Sequence, residues 1–257
     1  VTVNAQLDGR FPGRMPEPVP ENLDALGRLV EAADADVGIA HDGDADRSVF
    51  FDEQGRFIDG NASLAALAEH ELSAGDHTVA AVNVSQRLVD VCDRVDAELE
   101  LTPIGASHII TRIKELWTAG ESVPIAGEGN GGVFFPTHRL VRDGPYIGAK
   151  FLELIADRPA SEVVAPYQSY HGTRINLAYG SEAERRSMLS AAEAYVQSAD
   201  AELSTLDGYR LDYGDSWVLV RPSGTEPKIR IVAEGPTADR AEELATDLAD
   251  VVRAAVA

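Results

Sequence analysis

Between residues 61 and 156, short apolar segments alternate with longer helical patterns, and this alternation constrains the fold more than any other feature. The helical patterns cover residues 63–72, 86–95, 107–118 and 144–156, and the predicted strands cover 78–84, 98–101 and 123–126. A helix between two strands carries the chain back across the sheet, so the strands that it joins run parallel. We therefore predict a complete α/β domain over residues 61–158, with a mixed, largely parallel sheet.

The residues before this domain have the pattern of the last part of another α/β domain. A helix is predicted over residues 21–33, where apolar residues recur at helical spacing. A strand is expected at 37–40, followed by a hairpin whose strands at 48–52 and 56–58 meet at a Gln54-Gly55 turn. This portion is assigned to residues 1–60.

After a predicted linker at 158–166, the pattern changes again. Three strands follow one another without an intervening helix, at 209–213, 217–221 and 229–233, and a further strand lies at 173–178. Helices are predicted over 182–198 and 238–255, the second with Thr237 as its N-cap. Residues 166–257 are therefore predicted to form an α+β domain with an antiparallel sheet.

The chain is strongly acidic, with 43 Asp and Glu against 22 Lys and Arg and a formal net charge of −21. Such a surface repels nucleic acids and anionic membranes, so neither is expected as a partner. Because the acids are dispersed rather than gathered into a tail, they favour a solvated, halophile-like surface suited to high salt over an acidic interaction segment. No apolar run approaches the roughly 18 residues of a membrane helix. The single cysteine, Cys92, favours a reducing compartment, and a cytoplasmic location is expected.

The first of three loops that carry chemistry is Asp42-Gly43-Asp44-Ala45-Asp46-Arg47, after the strand predicted at 37–40. Alternating carboxylates can converge on one hard cation such as Mg²⁺, and Gly43 is expected to give the turn the backbone freedom that it needs. An EF-hand is the competing motif, but Arg47 stands where that motif requires glycine. A solvated acidic turn is the other alternative. Three strictly alternating aspartates closed by an arginine favour a metal loop.

The second loop is Gly127-Glu128-Gly129-Asn130-Gly131-Gly132, also directly after an apolar strand. Its glycines let the backbone approach a ligand, while Glu128 accepts hydrogen bonds and Asn130 both donates and accepts them, which suits sugar hydroxyls. In a dinucleotide site, Glu128 would repel the pyrophosphate. By itself this loop is also compatible with a flexible turn.

The third loop covers residues 221–228, with the sequence Arg-Pro-Ser-Gly-Thr-Glu-Pro-Lys. A strand delivers an arginine, two hydroxyls and several backbone N–H groups to one tight turn, and a forked cation with neutral donors is what a phosphate group needs. Arg230 lies two residues beyond Lys228 on the emerging strand, so their side chains share a face. A hairpin turn without function is the alternative, but it does not account for two hydroxyls that flank a glycine beside a basic strand.

Together and in this order, the three loops resemble the α-D-phosphohexomutase family of phosphoglucomutases, phosphomannomutases and phosphoglucosamine mutases. That family has four domains, with a phosphoserine loop in the first, a D-G-D-x-D-R metal loop in the second, a G-E-x-[SN]-G sugar loop in the third and an R-x-S-G-T-E-P phosphate loop in the fourth. The matching residues are Asp42, Asp44, Asp46, Arg47, Glu128, Asn130, Arg221, Ser223, Gly224 and Thr225. The resemblance covers essentially the whole chain.

The resemblance implies an intramolecular phosphotransferase, an isomerase that interconverts hexose 1-phosphate and hexose 6-phosphate through a phosphoserine and a bisphosphorylated sugar. Its partner would be a small phosphosugar. In that interpretation Mg²⁺ is held by Asp42, Asp44 and Asp46, and Arg47 orients the substrate as a catalytic residue. Glu128 and Asn130 bind sugar hydroxyls, and the phosphate that is not being transferred contacts Arg221, Ser223, Gly224, Thr225 and Arg230.

The nucleophile of the family lies in a T-A-S-H-N-P-like segment before the metal loop. Ala106-Ser107-His108 comes after that loop and lacks the Asn-Pro pair, so Ser107 is expected to cap a helix. His138 is expected to be a surface histidine rather than a proton carrier. We therefore expect the catalytic serine to lie outside this chain, in N-terminal domains of the same protein, which would make the chain an inactive fragment.

Two other functions remain open at this point. A non-catalytic phosphosugar-binding or regulatory module needs no nucleophile. A simple Mg²⁺-dependent phosphatase uses the metal loop but leaves the other two loops without a role. A serine loop upstream in the full reading frame would favour the enzyme over the module.

Overall fold

The computed structural model describes residues 1–224 and 226–256. Within that part, the chain forms two compact units. Unit 1 comprises residues 1–101 and 105–168, and unit 2 comprises residues 102–104 and the described residues from 169 onward. The three domains assigned from the sequence, with bounds at 60, 158 and 166, stay a prediction.

Unit 1 begins with a helix that packs on a small antiparallel sheet. Helix α1 (Pro20–Ala32) precedes strands β1 (Gly38–His41), β2 (Ser48–Phe51) and β3 (Phe57–Ile58), which pair antiparallel in that order. Proline at the first helical position suits the fixed φ of that residue. Apolar residues of α1, Leu23 and Val30, share a cluster with Phe51 of the sheet. The predicted hairpin turn is present, with Gly55 at a φ of +68°.

A larger sheet with helices follows in the same unit. Its elements are α2 (Gly60–Glu71), β4 (His77–Ala81), α3 (Gln86–Val95), β5 (Glu98–Thr102), α4 (Ala106–Ala119), β6 (Ala126–Glu128), β7 (Gly132–Phe135), β8 (Arg139–Arg142) and α5 (Gly144–Leu154). The strand order is β5-β4-β6-β7-β8. Strands β4 and β6 run parallel, whereas β6, β7 and β8 form an antiparallel meander. The sheet is mixed and partly parallel, which confirms the α/β class.

Helix α2 lies at the centre of unit 1. It is apolar nearly all round and buried from Ala62 to Ala68, as expected of a helix covered on several sides. The core around it includes residues of β2 and α5, where Phe50 and Phe151 stack with ring centroids 3.9 Å apart. Strand β2, which follows the acidic loop at 42–47, therefore shares one core with the larger sheet. This fixes the position of the loop relative to that sheet.

The segment at 158–166 is not an open linker. It forms a short helix, α6 (Ala160–Val164), followed by a 3₁₀ turn at Ala165–Tyr167. The side chains of Ala160, Val163 and Val164 are buried in the core of unit 1. Its proline and charged residues indicate a linker in the sequence, but its small apolar residues find a packing site that no local pattern reveals.

Unit 2 is an antiparallel sheet with two helices. Its elements are β9 (His171–Ala178), α7 (Glu182–Ser198), β10 (Glu202–Ser204), β11 (Tyr209–Asp212), β12 (Trp217–Pro222), β13 (Lys228–Gly235) and α8 (Ala238–Ala254). The strands are ordered β10-β11-β12-β13-β9, and each pairing is antiparallel, as predicted. Thr237 caps α8 by accepting a hydrogen bond from the Arg240 N–H at 3.2 Å. Among the described residues, no helix has the length and apolar character needed to cross a membrane.

Candidate functional site

The acidic loop, residues 42–47, joins β1 to β2 and is fixed against the start of α5. Ala45 O accepts a hydrogen bond from Gly144 N at 3.1 Å, and Ser48 Oγ donates to Gly144 O at 2.7 Å. The left-handed residue of this loop is Ala45, at a φ of +57°, so the expectation that Gly43 supplies this freedom is wrong. Gly43 supplies space instead, because a Cβ there would lie 2.9 Å from the Phe11 ring.

Three aspartates of this loop converge. Asp42, Asp44 and Asp46 each offer a carboxylate oxygen, and these oxygens lie within 4.8 Å of one another. Burial raises the pKa of Asp46, and the neighbouring charges of Asp42 and Asp44 act in the same direction against the Arg142 guanidinium. Asp46 Oδ1 is buried and has no hydrogen-bond partner among the described residues, although Arg47 Nε lies 3.9 Å from it. A buried oxygen without a hydrogen bond, in a set of hard oxygen donors, fits a divalent cation such as Mg²⁺.

Arg47 is held by two carboxylates. Its Nε donates to Asp42 Oδ2 at 2.6 Å, and its terminal nitrogens donate to the two oxygens of Glu17 at 2.8 and 3.0 Å. Burial raises the pKa of Asp42, but the Arg47 hydrogen bonds outweigh it and the pKa is lowered overall. The fork that holds the Glu17 carboxylate also matches the geometry of a phosphoryl group.

The glycine loop, residues 127–132, is clamped between β2 and the start of α2. Ser48 N donates to Gly131 O at 3.0 Å, and a Cβ on Gly60 would lie 2.5 Å from Gly129 O. Asn130 Oδ1 accepts from Gly132 N at 3.0 Å, which orients its amide. This packing does not fit the flexible-turn alternative.

Arg142 joins the two loops of unit 1. One terminal nitrogen donates to Glu128 Oε2 at 2.7 Å, and the other donates to the Asp46 carboxylate. The structure therefore brings the predicted metal loop and the predicted sugar loop into one polar cluster. Sequence reasoning missed Arg142, because it stands 14 residues from Glu128 and 96 from Asp46 and no local motif includes it.

The phosphate loop of unit 2 is the tip of the β12–β13 hairpin. Arg221 and Arg230 lie directly opposite each other across that pair, an arrangement that repels unless anions are present. Glu226 accepts from Lys228 Nζ at 2.8 Å and from Arg230 at 2.9 Å, and these bonds lower its pKa. Arg221 Nε lies 3.3 Å from Asp207 Oδ1, so each arginine has a carboxylate partner.

Of the remaining residues predicted to bind phosphate in this loop, the structure describes Ser223 and Gly224. Ser223 N donates to Lys228 O at 2.8 Å and closes the turn, and Gly224 is exposed. Thr225 lies outside the described residues. Sequence reasoning missed Asp207, which stands 14 residues before its partner Arg221 and becomes its neighbour only in the folded sheet.

Ser107 and His138 lie outside the three loops. Gly105, not Ser107, is the N-cap of α4, so the capping expectation is wrong. Ser107 is exposed in the first turn, and its carbonyl oxygen accepts from Thr111 Oγ1 at 2.9 Å. His138 stacks on Tyr146 at 3.9 Å, with Nε2 3.5 Å from Asp143 Oδ2.

The chain is similar to known proteins along most of its length. Three models of the phosphoglucomutase/phosphomannomutase family match the chain: alpha/beta/alpha domain II over residues 1–55, alpha/beta/alpha domain III over 59–170, and the C-terminal domain over 176–251. A probable phosphoglucosamine mutase of Methanopyrus kandleri is 39% identical over 100% of this chain and 56% of its own length. A phosphoglucomutase/phosphomannomutase of Thermococcus kodakarensis is 37% identical over 95% of this chain and 53% of its own length.

A solved structure extends the similarity to three dimensions. The crystal structure of a phosphoglucomutase/phosphomannomutase family protein from Burkholderia thailandensis matches 99% of this chain and 55% of its own, with a TM-score of 0.84 and 28% identity. The chain thus spans little more than half the length of these relatives. Because family models match residues 1–55, 59–170 and 176–251, the chain belongs to the phosphoglucomutase/phosphomannomutase family.

Proposed function

We propose that the protein to which this chain belongs interconverts hexose 1-phosphates and hexose 6-phosphates, through a phosphoserine and a bisphosphorylated sugar. The observation that carries the proposal is the cluster in unit 1, where three convergent aspartates are joined through Arg142 to the carboxylate of the glycine loop. A cation site beside a hydroxyl-binding carboxylate is what phosphoryl transfer to a sugar requires. A simple Mg²⁺-dependent phosphatase would leave the carboxylate of the glycine loop without an assigned role.

Each group has a role in that reaction. Mg²⁺ held by Asp42, Asp44 and Asp46 would, when bound, neutralise charge on the transferring phosphoryl group. Arg47 orients that group once its fork leaves Glu17. Glu128 accepts from a sugar hydroxyl and Asn130 presents its amide to another. The other phosphate is held by Arg221, Ser223, Gly224, Thr225 and Arg230, which supply charge and donors on one hairpin.

The proposal places the nucleophilic serine in a part of the protein outside these residues. Without a covalent carrier, the aspartates can collect a cation but no group can exchange a phosphoryl with the sugar. The chain by itself is therefore proposed to bind phosphosugars weakly and to turn none over. The same chain would then be inactive alone and essential in the complete protein.

The test is a coupled mutase assay on the complete protein with glucose, mannose and glucosamine 1-phosphates. Asp44→Asn removes one of three cation ligands and is expected to lower Mg²⁺-dependent turnover at least about 100-fold at limiting Mg²⁺, in line with removal of a group that supports developing charge. Asp36→Asn makes the same charge change at an exposed position outside the loop and is expected to be silent. Full activity of Asp44→Asn would refute the cation assignment, and turnover by the isolated chain would refute the placement of the nucleophile.

A further inference from the structure

We propose that Arg142 is a positioning residue that holds the cation-binding carboxylate of Asp46 and the carboxylate of Glu128 with one guanidinium, so that cation binding at the acidic loop steadies the glycine loop. This inference rests on the cation site proposed above. It assigns to Arg142 a task that neither loop motif contains.

The path of the Arg142 side chain is built into the register of the sheet. Glu128 on β6 pairs with Gly132 on β7, and Phe134 on β7 pairs with Arg142 on β8. To reach Glu128, the arginine must cross the middle strand at Gly132. A Cβ on Gly132 would lie 2.7 Å from Arg142 Cδ and 3.1 Å from one of its terminal nitrogens. The absent side chain at 132 is therefore what lets the guanidinium pass.

The two oxygens of Asp46 have different surroundings. One accepts from Arg142. The other, Oδ1, is buried without a hydrogen bond to the described residues and lies 3.9 Å from Arg47 Nε. An arginine that fixes one oxygen of a carboxylate sets the direction of the other, and ligating carboxylates are commonly held by such outer partners. Only 20% of the Arg142 side chain and 11% of the Glu128 side chain are exposed, so water competes weakly for these bonds.

The planar fork is essential to this role. A guanidinium donates along fixed, divergent directions and can serve two carboxylates, whereas the ammonium of lysine is a compact charge on a flexible stem. Arg139 provides a matched control on the same strand. Its side chain is 56% exposed, and its terminal nitrogen lies 3.6 Å from Asp143. Arg142→Lys and Arg139→Lys make the same chemical change, but only the first divides the bridge.

The opposing interpretation is that Arg142 competes with the cation for Asp46. Removal of its charge would then tighten cation binding. Isothermal titration of the purified chain with Mg²⁺ at constant ionic strength separates the two. The positioning role predicts that Arg142→Lys and Arg142→Gln each weaken Mg²⁺ binding about tenfold, the lower end for loss of an outer partner, and that Arg139→Lys leaves it unchanged. Tighter binding by Arg142→Gln, or unchanged binding by Arg142→Lys, would overturn the proposal.

A second measurement reports on the coupling itself. Saturating Mg²⁺ is expected to slow amide hydrogen exchange at residues 129–132 in the unaltered chain and in Arg139→Lys, but not in Arg142→Lys. Gly132→Ala, which keeps the arginine and displaces its side chain, should behave like Arg142→Lys. If the unaltered chain binds no Mg²⁺, the cation site and this inference both fail. If all variants bind Mg²⁺ and slow exchange alike, the inference alone fails.

Discussion

At the scale of single residues, the site depends as much on absent side chains as on charged ones. At three places a glycine lies where two backbone segments meet: Gly131 against Ser48, Gly60 against Gly129, and Gly144 against Ala45. In each case an added Cβ would lie 2.5 to 2.6 Å from a carbonyl oxygen. Such contacts cannot be relieved by turning a side chain, so the backbone itself would have to move.

Gly131 and Gly75 allow the steric part of this requirement to be measured. Both have positive φ, +89° and +81°, but a Cβ on Gly75 meets nothing within 4 Å. A left-handed alanine costs about 1–2 kcal/mol at either position. Gly131→Ala should cost about 1–3 kcal/mol more, because the new methyl group meets Ser48 O. Urea unfolding of the two variants gives the difference, and equal losses would show that the loop is not clamped as described.

The charged residues of the site divide by how they could be predicted. Some stand in short motifs that can be recognised from the sequence alone: the aspartates of 42–46, Glu128 and the 221–228 loop. Arg142, Glu17 and Asp207 act on partners 96, 30 and 14 residues away. A single arginine on a short strand carries no sign of which carboxylates the sheet will place beside it.

At the scale of elements, Glu69 connects three segments of unit 1. It lies on α2 and accepts from Arg94 of α3 and from the Tyr167 hydroxyl, at 2.7 Å from the latter. The Arg94 hydrogen bond is the main cause of the lowered pKa of Glu69; burial opposes it and Tyr167 adds to it. The charged carboxylate thus holds the 3₁₀ turn against the helices.

The sign of the resulting pH dependence follows from that direction. The pKa of Glu69 is below 4.5 in the folded chain and near 4.5 when unfolded, so its contribution is complete above pH 4.5 and is lost as the pH falls through the folded value. Glu69→Gln should lower the free energy of unfolding by about 1 kcal/mol at pH 7, a modest value because the group is partly solvated. The difference should shrink between pH 4.5 and 3.

Urea unfolding at pH 7, 4.5 and 3 tests this expectation. Glu98→Gln, at an exposed carboxylate that begins β5, is the control for loss of one charge. A difference between Glu69→Gln and the unaltered chain that grows towards pH 3 would contradict the role of the charged carboxylate.

The long helices were predictable, but three of the short strands were not. Helices α3 and α7 have the bounds that periodicity predicts, 86–95 and 182–198. Strands β7, β8 and β10 span three or four residues, too few to show a period of two. Strands β7 and β8 nevertheless carry Gly132 and Arg142, the two residues on which the proposed bridge depends.

At the scale of the whole molecule, charge dominates. A net charge of −21 spread over 257 residues destabilises the folded chain by self-repulsion. Salt shortens the range of this repulsion from about 14 Å at 0.05 M to about 3 Å at 1 M. The melting temperature should therefore rise with NaCl, by roughly 2–4 °C for each kcal/mol of repulsion removed.

Differential scanning calorimetry between 0.05 and 1 M salt measures this rise. NaCl and KCl should act alike at equal ionic strength, because screening depends on ionic strength and not on the identity of the cation. A melting temperature that falls or stays constant across this range would contradict the interpretation of the surface.

The fold class was predictable at this scale, and the compact units were not. Alternating strands and helices before residue 158 and consecutive strands after 208 indicate the two sheet types. Residues 102–104 belong to unit 2, where Ile104 N donates to Asp207 Oδ2 at 3.0 Å. A division that follows contacts across 103 residues has no counterpart in composition.

The passage of Arg142 over Gly132 also restricts the order in which these two positions could be substituted during evolution. An alanine at 132 arising first would push the arginine off both carboxylates, while the backbone there would tolerate it. A shorter residue at 142 arising first would lose the bridge but leave room for the second change. Substitutions at positions 132 and 142 are therefore expected to be coupled. A homologue with a larger residue at 132 would need a different residue to hold Asp46 and Glu128.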